Sequence, residues 1–223
     1  MLSEKIRILS RSFESFRDRI EAGEFLVNEL KEYKNKDIVV VGIPRGGVVI
    51  AASIAKNLQC DFDIVIVRKI GYPSNPEFAI GAISEDGSVF INRDLSFELD
   101  GQKTYIENET KKQLDIVKER VEIFRKIRPK VGLKDKIVIV TDDGIATGST
   151  MQSALWMIRK ELPKKIVVAI PVASNESLVR IKDDADEIIC LRMPEFFAAV
   201  GQFYRNFNQV EDNDVANLLR EAI

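Results

Sequence analysis

The sequence predicts an α/β fold with a doubly wound, mainly parallel sheet that is flanked by helices. Short β-branched runs that are almost entirely apolar recur along the 223 residues, as expected of parallel strands buried on both faces. Stretches with helical spacing separate these runs, and this alternation implies right-handed crossovers. The length is near the upper end of one domain, so we expect residues 1–223 to form a single domain with a core at about 35–191.

The predicted strands and helices alternate along most of the chain. The apolar runs taken as strands are residues 37–41, 62–67, 136–141, 165–170 and, more weakly, 187–191. The stretches taken as helices are residues 17–33, 47–58, 149–161 and 174–183.

Two insertions interrupt this alternation. Residues 68–92 contain two prolines, three glycines and a DG turn signal, which predict a long loop followed by a β-hairpin around Asp86–Gly87. Residues 102–127 have the pattern of a long helix whose apolar stripe runs from Leu114 to Phe124. We expect that stripe to pack on the core, with a contact between subunits as the alternative.

Composition excludes several classes of function. The 33 basic and 35 acidic residues give a formal net charge of -2, so we expect no nucleic-acid partner. No apolar stretch approaches the roughly 18 to 20 residues of a membrane span, and two isolated cysteines suit a cytoplasmic protein with reduced thiols. Histidine is absent, which excludes Ser-His-Asp and Cys-His catalysis and His-ligated metals.

The segment 138–150 is the strongest candidate site. A predicted strand ends at Thr141, the carboxylates of Asp142 and Asp143 follow, and a loop of small residues leads into the next helix. Ligands of open α/β sheets bind at this edge, where helix-start amides can hold a phosphate. The carboxylates could accept hydrogen bonds from a sugar diol or bind Mg²⁺. The loop residues expected to contact the ligand are Gly144, Ile145, Ala146, Thr147, Gly148, Ser149 and Thr150.

Other phosphate-binding motifs do not match this loop. It lacks the lysine and the spacing of the nucleotide-triphosphatase P-loop, and it is not the dinucleotide GxGxxG motif. The structural alternative is a DG turn that enters a helix capped by serine or threonine. That alternative explains part of the run but not all of it.

Residues 138–150 resemble the phosphoribosyl-pyrophosphate (PRPP) signature of type I phosphoribosyltransferases, in which an apolar strand, two acidic residues and a small-residue loop end in TGxT. The stretches VGIPRGGVVIA, VRKIGYPSNPEFAIGAI and FRDRIEAG are similar to a subgroup of predicted phosphoribosyltransferases. The resemblance implies the type I fold, with a small hood formed by helix 17–33 and the tail 192–223. It also implies transfer of the phosphoribosyl group of PRPP to a nucleobase-like acceptor with release of pyrophosphate, in a homo-oligomer that we expect to be a dimer.

The resemblance gives the acid pair and the turn after the first strand their expected roles. Asp142 and Asp143 would hold the ribose hydroxyls and, directly or through water, the Mg²⁺ cofactor. Pro44, Gly46 and Gly47 would help to bind pyrophosphate, with a non-proline cis bond between Pro44 and Arg45. A tight turn with its arginine in solvent is the alternative.

Two further segments receive implied roles. Arg68 and Lys69 would begin a mobile loop that closes over PRPP and neutralises the departing pyrophosphate; two solvated cations are the alternative. Phe196 or Phe197 would be the platform for the base; a hydrophobic cluster that closes the core is the alternative. The residues expected to be catalytic are Arg45, Arg68, Lys69, Asp142 and Asp143.

The sequence departs from the pattern of 6-oxopurine enzymes, so the acceptor stays open. Those enzymes have an aspartate at the fifth loop position, where this chain has Ala146, and a lysine after the next strand, where it has the residues 171–174, PVAS. Two rival functions remain. One is a PRPP- or nucleotide-sensing regulator of the same fold without turnover, and the other is a phosphohydrolase.

Overall fold

The structure, a computed structural model, describes residues 4–92 and 101–221. The strands of these residues are β1 (Ile6–Ser10), β2 (Ile38–Gly42), β3 (Asp61–Ile64), β4 (Val67–Tyr72), β5 (Asn75–Ser84), β6 (Val89–Ile91), β7 (Ile137–Thr141), β8 (Lys165–Val172) and β9 (Glu187–Arg192). The α-helices are α1 (Arg19–Glu29), α2 (Gly46–Leu58), α3 (Lys103–Arg125), α4 (Ser149–Lys160), α5 (Asn175–Ile181) and α6 (Asp212–Glu221).

A six-stranded sheet in the order β1-β9-β8-β7-β2-β3 forms the centre of the fold, and every pair of neighbours in it is parallel. From β2 the chain proceeds to one edge through β3, and from β7 it proceeds to the other edge through β8 and β9. The order therefore reverses between β2 and β7. This is the predicted doubly wound α/β sheet, and the prediction is confirmed.

The sheet is buried on both faces because its strands are apolar at successive positions. Val40 packs in one core cluster with Leu26 of α1 and Ile50 of α2, whereas its neighbour Val39 packs in a second cluster with Leu155 of α4. Side chains on a strand alternate between faces, so a run such as that of β2 supplies both clusters. Each fully buried aliphatic side chain contributes about 1.5 to 3 kcal/mol relative to exposure.

The edges of this sheet differ from the prediction. The run predicted as one strand at 62–67 ends at Ile64, and Val67 begins β4 in a separate sheet. At the other edge, β1 pairs in parallel with β9, from Ile6 beside Ile188 onward, and was not predicted. The strand is only partly covered and includes a charged Arg7, so it lacks the continuous apolar run of a central strand.

Residues 68–84 correct the prediction of a long loop. They lie mostly in β4 and β5, which with β6 form an antiparallel sheet in the order β4-β5-β6. The hairpin at Asp86–Gly87 is confirmed, and Gly87 has the positive φ of +80° that its turn requires. Gly81 permits close pairing, since a Cβ there would lie 2.4 Å from the Phe90 carbonyl oxygen. The prolines and glycines of this segment therefore predicted a loop, although the segment pairs as β-strands.

Helix α3 packs its apolar stripe on the core, as predicted. Val117 and Phe124 are buried, and Leu114 and Val121 pack against the same cluster while partly exposed. Over the residues that the structure describes, no helix combines the length and the apolar composition needed to cross a membrane.

The two ends of the described chain meet beside the sheet. Helix α1 begins after Asp18, whose side chain accepts a hydrogen bond from the Glu21 amide and so caps the helix. Just before it, the Phe16 amide donates to the Phe203 carbonyl at 2.8 Å, and the Phe16 carbonyl accepts from the Arg205 amide at 2.8 Å. These bonds hold the tail against the entry to α1.

Candidate functional site

The candidate site lies where the order of the sheet reverses. Strands β2 and β7 run side by side, and their last residues, Gly42 and Thr141, are register partners. The loops that follow the two strands therefore leave the sheet at the same edge and on neighbouring positions. A reversal of this kind opens a crevice at the carboxyl ends of the strands, where open α/β sheets bind ligands.

The loop after β7 is fastened to the end of β8. The Ile145 amide donates to the Val172 carbonyl at 2.9 Å, and Ser174 Oγ donates to the Ala146 carbonyl at 2.8 Å. Gly148 has a φ of +80° at the start of α4, a conformation that favours glycine. The predicted phosphate-binding residues thus run directly into a helix N-terminus, where the first amides lack partners within the helix.

Arg180, a cation for which no role was predicted, lies beside this loop. Arg180 of α5 donates a 3.3 Å hydrogen bond to Ser149 Oγ. Its Cδ would also be 3.2 Å from a Cβ placed on Gly148. The helix start therefore combines amides that lack partners within the helix with a nearby guanidinium, which suits a phosphate.

The loop after β2 comes as close to the acid pair as glycine allows. The Pro44–Arg45 peptide bond is cis, as the resemblance implied. A Cβ on Gly46 would lie 1.9 Å from Asp143 Oδ2, and a Cβ on Gly47 would lie 2.7 Å from the Cα of Asp142. Any side chain at either glycine would collide with the acid pair, so the two predicted loops form one surface.

Arg45 extends from this turn toward the tail of the chain. Its Nη1 lies 3.2 Å from Glu211 Oε2 and 3.9 Å from Asp212 Oδ1. All three side chains are about a third or more exposed, so these ion pairs are weak and can be exchanged for another anion at little cost.

The acid pair lies where burial disfavours the charged form of both carboxyls. Burial raises the pKa of the Asp142 carboxyl well above its ordinary value, and the charge of Asp143 raises it further. Burial also raises the pKa of Asp143, although Arg19 opposes that rise. A cation or a set of hydroxyl donors at this point would reverse the effect on both carboxyls.

Arg19, which sequence reasoning gave no role, contacts the acid pair directly. Its Nε and Nη2 lie 2.9 and 2.8 Å from Asp143 Oδ2, and the side chain is only 10% exposed. No sequence signal pointed to this contact, because Arg19 and Asp143 are 124 positions apart in the chain.

The predicted basic pair lies on β4 rather than in a mobile loop. Arg68 Nε donates to Gln113 Oε1 of α3 at 2.8 Å, so its hydrogen bond goes to that helix and not to either loop at the crevice. Burial lowers the pKa of Arg68, and the neighbouring charge of Arg120 lowers it further. Lys69 is the next residue of the strand. The roles predicted for both cations stay predictions.

A second cleft opens at the carboxyl ends of β8 and β9. Its volume is about 420 Å³, and its lining includes Ser174, Met193, Glu195 and Phe197. Because Ser174 also bonds to Ala146, the cleft borders the loop after β7. Phe197 packs against a neighbouring aromatic ring, Phe203, with centroids 5.4 Å apart.

Phe196, the other predicted platform, does not line this cleft. Its side chain is 73% exposed. The cleft also has Arg11 on its lining, a residue that follows the unpredicted strand β1.

The donor set can hold Mg²⁺ only together with a ligand. Among residues 4–92 and 101–221 there is no group of three or more histidine, cysteine, aspartate or glutamate side chains that could enclose a metal. Two adjacent carboxylates suit Mg²⁺ bound partly by water and partly by substrate phosphates, which is its usual protein environment.

Residues 17–208 match the family model of the phosphoribosyl transferase domain. The chain belongs to this family. The match covers both loops of the crevice, Arg19 and the aromatic part of the tail, and it confirms the family that residues 138–150 predicted.

Individual phosphoribosyl transferases are similar to most of the chain or to a part of it. A Mycobacterium tuberculosis protein named "Putative phosphoribosyl transferase" is 40% identical over 207 residues, which are 93% of this chain and 47% of that protein. The chain thus spans about half the length of these curated relatives. A uracil phosphoribosyltransferase of Sulfurisphaera tokodaii is 38% identical over 81 residues, 36% of this chain and 37% of that enzyme.

A solved structure has nearly the same fold. The crystal structure of the protein TT1426 from Thermus thermophilus is 42% identical in sequence to this chain and superposes with a TM-score of 0.86. The similarity covers 93% of this chain and 98% of that one.

Proposed function

We propose that this phosphoribosyl transferase domain moves the phosphoribosyl group of PRPP to a nucleobase-like acceptor and releases pyrophosphate, with Mg²⁺ as cofactor. The observation that carries the proposal is the meeting of Asp142 and Asp143 with the Gly46–Gly47 turn where the sheet order reverses. Acidic, glycine-rich and helix-start elements there suit the three parts of PRPP. We also keep the predictions of a cytoplasmic protein and of a homodimer.

Each part of PRPP has a set of groups to bind it. The amides of residues 146–150, with Arg180 beside them, would take the 5′-phosphate. Asp142 and Asp143 would accept hydrogen bonds from the ribose hydroxyls. The turn at 44–47 would take the pyrophosphate, and Arg45 would exchange Glu211 and Asp212 for it.

These groups would act by positioning and by charge. The bond from C1 of the ribose to pyrophosphate breaks as a nitrogen of the acceptor approaches C1, and positive charge develops on the sugar. A bound Mg²⁺ would offset negative charge on the leaving pyrophosphate. The acid pair would hold the ribose in a fixed orientation and place negative charge near the developing cation. Ala146 has no carboxylate, so it cannot deprotonate the acceptor.

The cleft beside Ala146 is the proposed acceptor site. Phe197 offers an aromatic face, and Arg11, Asn175 and Glu195 offer polar groups. A volume of about 420 Å³ exceeds the roughly 300 Å³ at which small-molecule pockets begin, and so accommodates one heteroaromatic ring. Phe197 is accordingly favoured over the exposed Phe196 as the platform.

The test is to incubate the chain with Mg²⁺, PRPP and a panel of bases while following pyrophosphate and nucleotide. We expect nucleotide to form with at least one base, at a rate that Phe197→Ala lowers and that Phe196→Ala leaves nearly unchanged.

The other outcomes separate the rival functions. PRPP binding with no nucleotide from any base would favour the sensing regulator. Release of pyrophosphate and ribose 5-phosphate without a base would indicate hydrolysis. Absence of PRPP binding would refute the proposal.

A further inference from the structure

Arg19 is a buried cation whose three nitrogens are all occupied. Nε and Nη2 approach Asp143 Oδ2 at 2.9 and 2.8 Å, and Nη1 donates to the Asn208 carbonyl at 2.9 Å. The guanidinium also lies over the Phe207 ring, with its carbon 4.0 Å from the centroid. A guanidinium held by an acid, a carbonyl and an aromatic face has little freedom to move.

Asp143 is restrained both by Arg19 and by residues that lie near Arg19. Tyr204, which stacks on Phe207 at 5.1 Å, donates from its hydroxyl to the Asp143 carbonyl at 2.6 Å. Gly46 leaves room for Asp143 Oδ2, and a Cβ there would also come within 3.0 Å of Arg19 Nε. The backbone and the side chain of Asp143 are therefore both fixed by residues from the two ends of the chain.

The two carboxylates are not equivalent. Both contacts of Arg19 are to Oδ2 of Asp143, so the guanidinium leaves Oδ1 to other donors. Asp142 instead accepts a hydrogen bond from the backbone amide of Asp143, at 2.8 Å, and in the described part of the chain it forms no ion pair. A divalent cation is attracted more strongly by the carboxylate that is not already neutralised.

We infer, on the basis of the proposed function, that Arg19 is a positioning residue for phosphoribosyl transfer. It fixes Asp143 with one oxygen available to a ribose hydroxyl, and it leaves the metal to Asp142. The acid pair is thereby divided into a sugar-binding and a metal-binding carboxylate. Such a division explains why a buried arginine is placed beside one acid rather than between the two.

Calorimetric binding of PRPP to the full chain, at saturating and limiting Mg²⁺, tests the inference without needing turnover. Arg19→Gln removes the charge, and Arg19→Lys keeps the charge but loses the planar fork. We expect Arg19→Gln to weaken PRPP binding about 10- to 100-fold, the range typical of residues that orient ligand-binding groups, and Arg19→Lys to restore part of that loss. Arg17→Gln, an exposed arginine two residues away, is the matched control and should bind PRPP as the wild type does.

A double-mutant cycle shows whether Arg19 acts through Asp143. We expect the double variant Arg19→Gln with Asp143→Asn to bind PRPP no more weakly than the more affected single variant. Where an acceptor supports turnover, KM for PRPP should rise in Arg19→Lys more than kcat falls. A melting temperature measured for each variant identifies any loss of fold.

The division between the carboxylates is tested by Mg²⁺ titration. The Mg²⁺ concentration that half-saturates PRPP binding should rise severalfold more in Asp142→Asn than in Asp143→Asn. Equal shifts would overturn the division, and multiplicative effects in the double-mutant cycle, or unchanged PRPP affinity in a folded Arg19→Gln, would overturn the positioning role. If the wild type itself does not bind PRPP, the proposed function fails first, and this result is distinct from the others.

Discussion

Two buried arginine–carboxylate clusters show how the site differs from the structural interior. Arg125 of α3 lies 2.6 Å from Asp63 Oδ1 and 2.5 Å from Glu85 Oε2, and it also donates to the Ile64 carbonyl at 3.0 Å. The second oxygen of Asp63 accepts the Val131 amide at 2.9 Å. In this cluster both carboxylates form an ion pair with a cation.

At the crevice, by contrast, Asp143 forms an ion pair but Asp142 forms none with the described residues. Arg19 contacts Asp143 alone, and burial keeps the pKa of Asp142 well above its ordinary value. The contrast teaches that a buried ion pair by itself does not identify a ligand site. A buried carboxylate without a cation partner does.

Loss of Arg125 from its cluster should lower the stability of the fold. Arg125→Met leaves Asp63 buried without its cation, and we expect the free energy of unfolding to fall by about 3 to 5 kcal/mol. Urea denaturation measures the change. Lys118→Met, which opens an exposed pair on the same helix, is the control and should change it by less than about 0.5 kcal/mol. A small effect of Arg125→Met would mean that the saturated cluster is not structural.

A side chain at Gly46 should damage the site and not the fold. The Cβ of Gly46→Ala would overlap Asp143 Oδ2, so the carboxylate must move, and a displacement of about 1 Å can cost on the order of 100-fold in activity. PRPP affinity and turnover measure the loss. Gly132→Ala introduces a Cβ with nothing within 4 Å and should leave both unchanged. Normal PRPP binding by Gly46→Ala would argue that Asp143 takes no part in it.

Replacement of Asp142 by asparagine should weaken ligand binding without lowering the stability of the ligand-free protein. We expect Asp142→Asn to lower affinity for PRPP and Mg²⁺ about 10- to 100-fold, while the ligand-free protein unfolds at the same or a higher denaturant concentration. The reason is that burial disfavours the charged form of Asp142 when no ligand is present. Calorimetry and urea denaturation of one preparation test both parts. A destabilised Asp142→Asn would show that its charge is already compensated.

A third cluster gives the smallest effect and has a defined pH dependence. Glu187 Oε2 lies 2.6 Å from Lys165 Nζ and 2.5 Å from the Tyr33 hydroxyl. Burial disfavours the charge on Glu187, but these two hydrogen bonds outweigh it and lower its pKa below the ordinary value of 4.5. Its stabilisation is therefore present above pH 4.5 and is lost as the pH falls through the lowered pKa.

Glu187→Gln tests that dependence. The variant should be less stable than the wild type at pH 7 by about 1 kcal/mol or less, because both partners are partly exposed. The difference should vanish in acid unfolding experiments below the lowered pKa. A difference in stability that persists in acid would contradict the assignment to Glu187.

Tyr33 has a pH dependence at the other end of the scale. Burial raises the pKa of Tyr33 to about 12, so its contribution to the free energy of unfolding is fully present below pH 10 and is lost as the pH rises toward 12.

Central strands and the site loops were predictable because their information is local. The runs that became β2, β7 and β8 are apolar at nearly every position, and burial on both faces requires that composition. The run that became β3 and β4 was misassigned because Val65 and Ile66, between the two strands, are as apolar as the strands are. The edge strand β1 was missed because an exposed strand needs no continuous apolar run.

Contacts between distant residues were not predictable in the same way. Arg68 was expected at a mobile loop, but pairing of β4 with β5 orders the segment and its hydrogen bond goes to Gln113. The cleft that includes Arg11 depends on a strand whose position follows from pairing with β9. Neither the hydrogen bond of Arg68 nor the position of Arg11 can be read from the residues next to it in the sequence.

The sequence by itself determined the family, the α/β sheet and the loop that we propose to bind PRPP, because an apolar strand, two acids and a glycine-containing helix start are contiguous from 138 to 150. Only the tertiary structure decided which acid is neutralised. Arg19 and Asp143 are 124 positions apart, and they meet because α1 packs on the sheet beside the tail. Charge compensation in a buried site depends on distances in space, whereas a motif depends only on order along the chain.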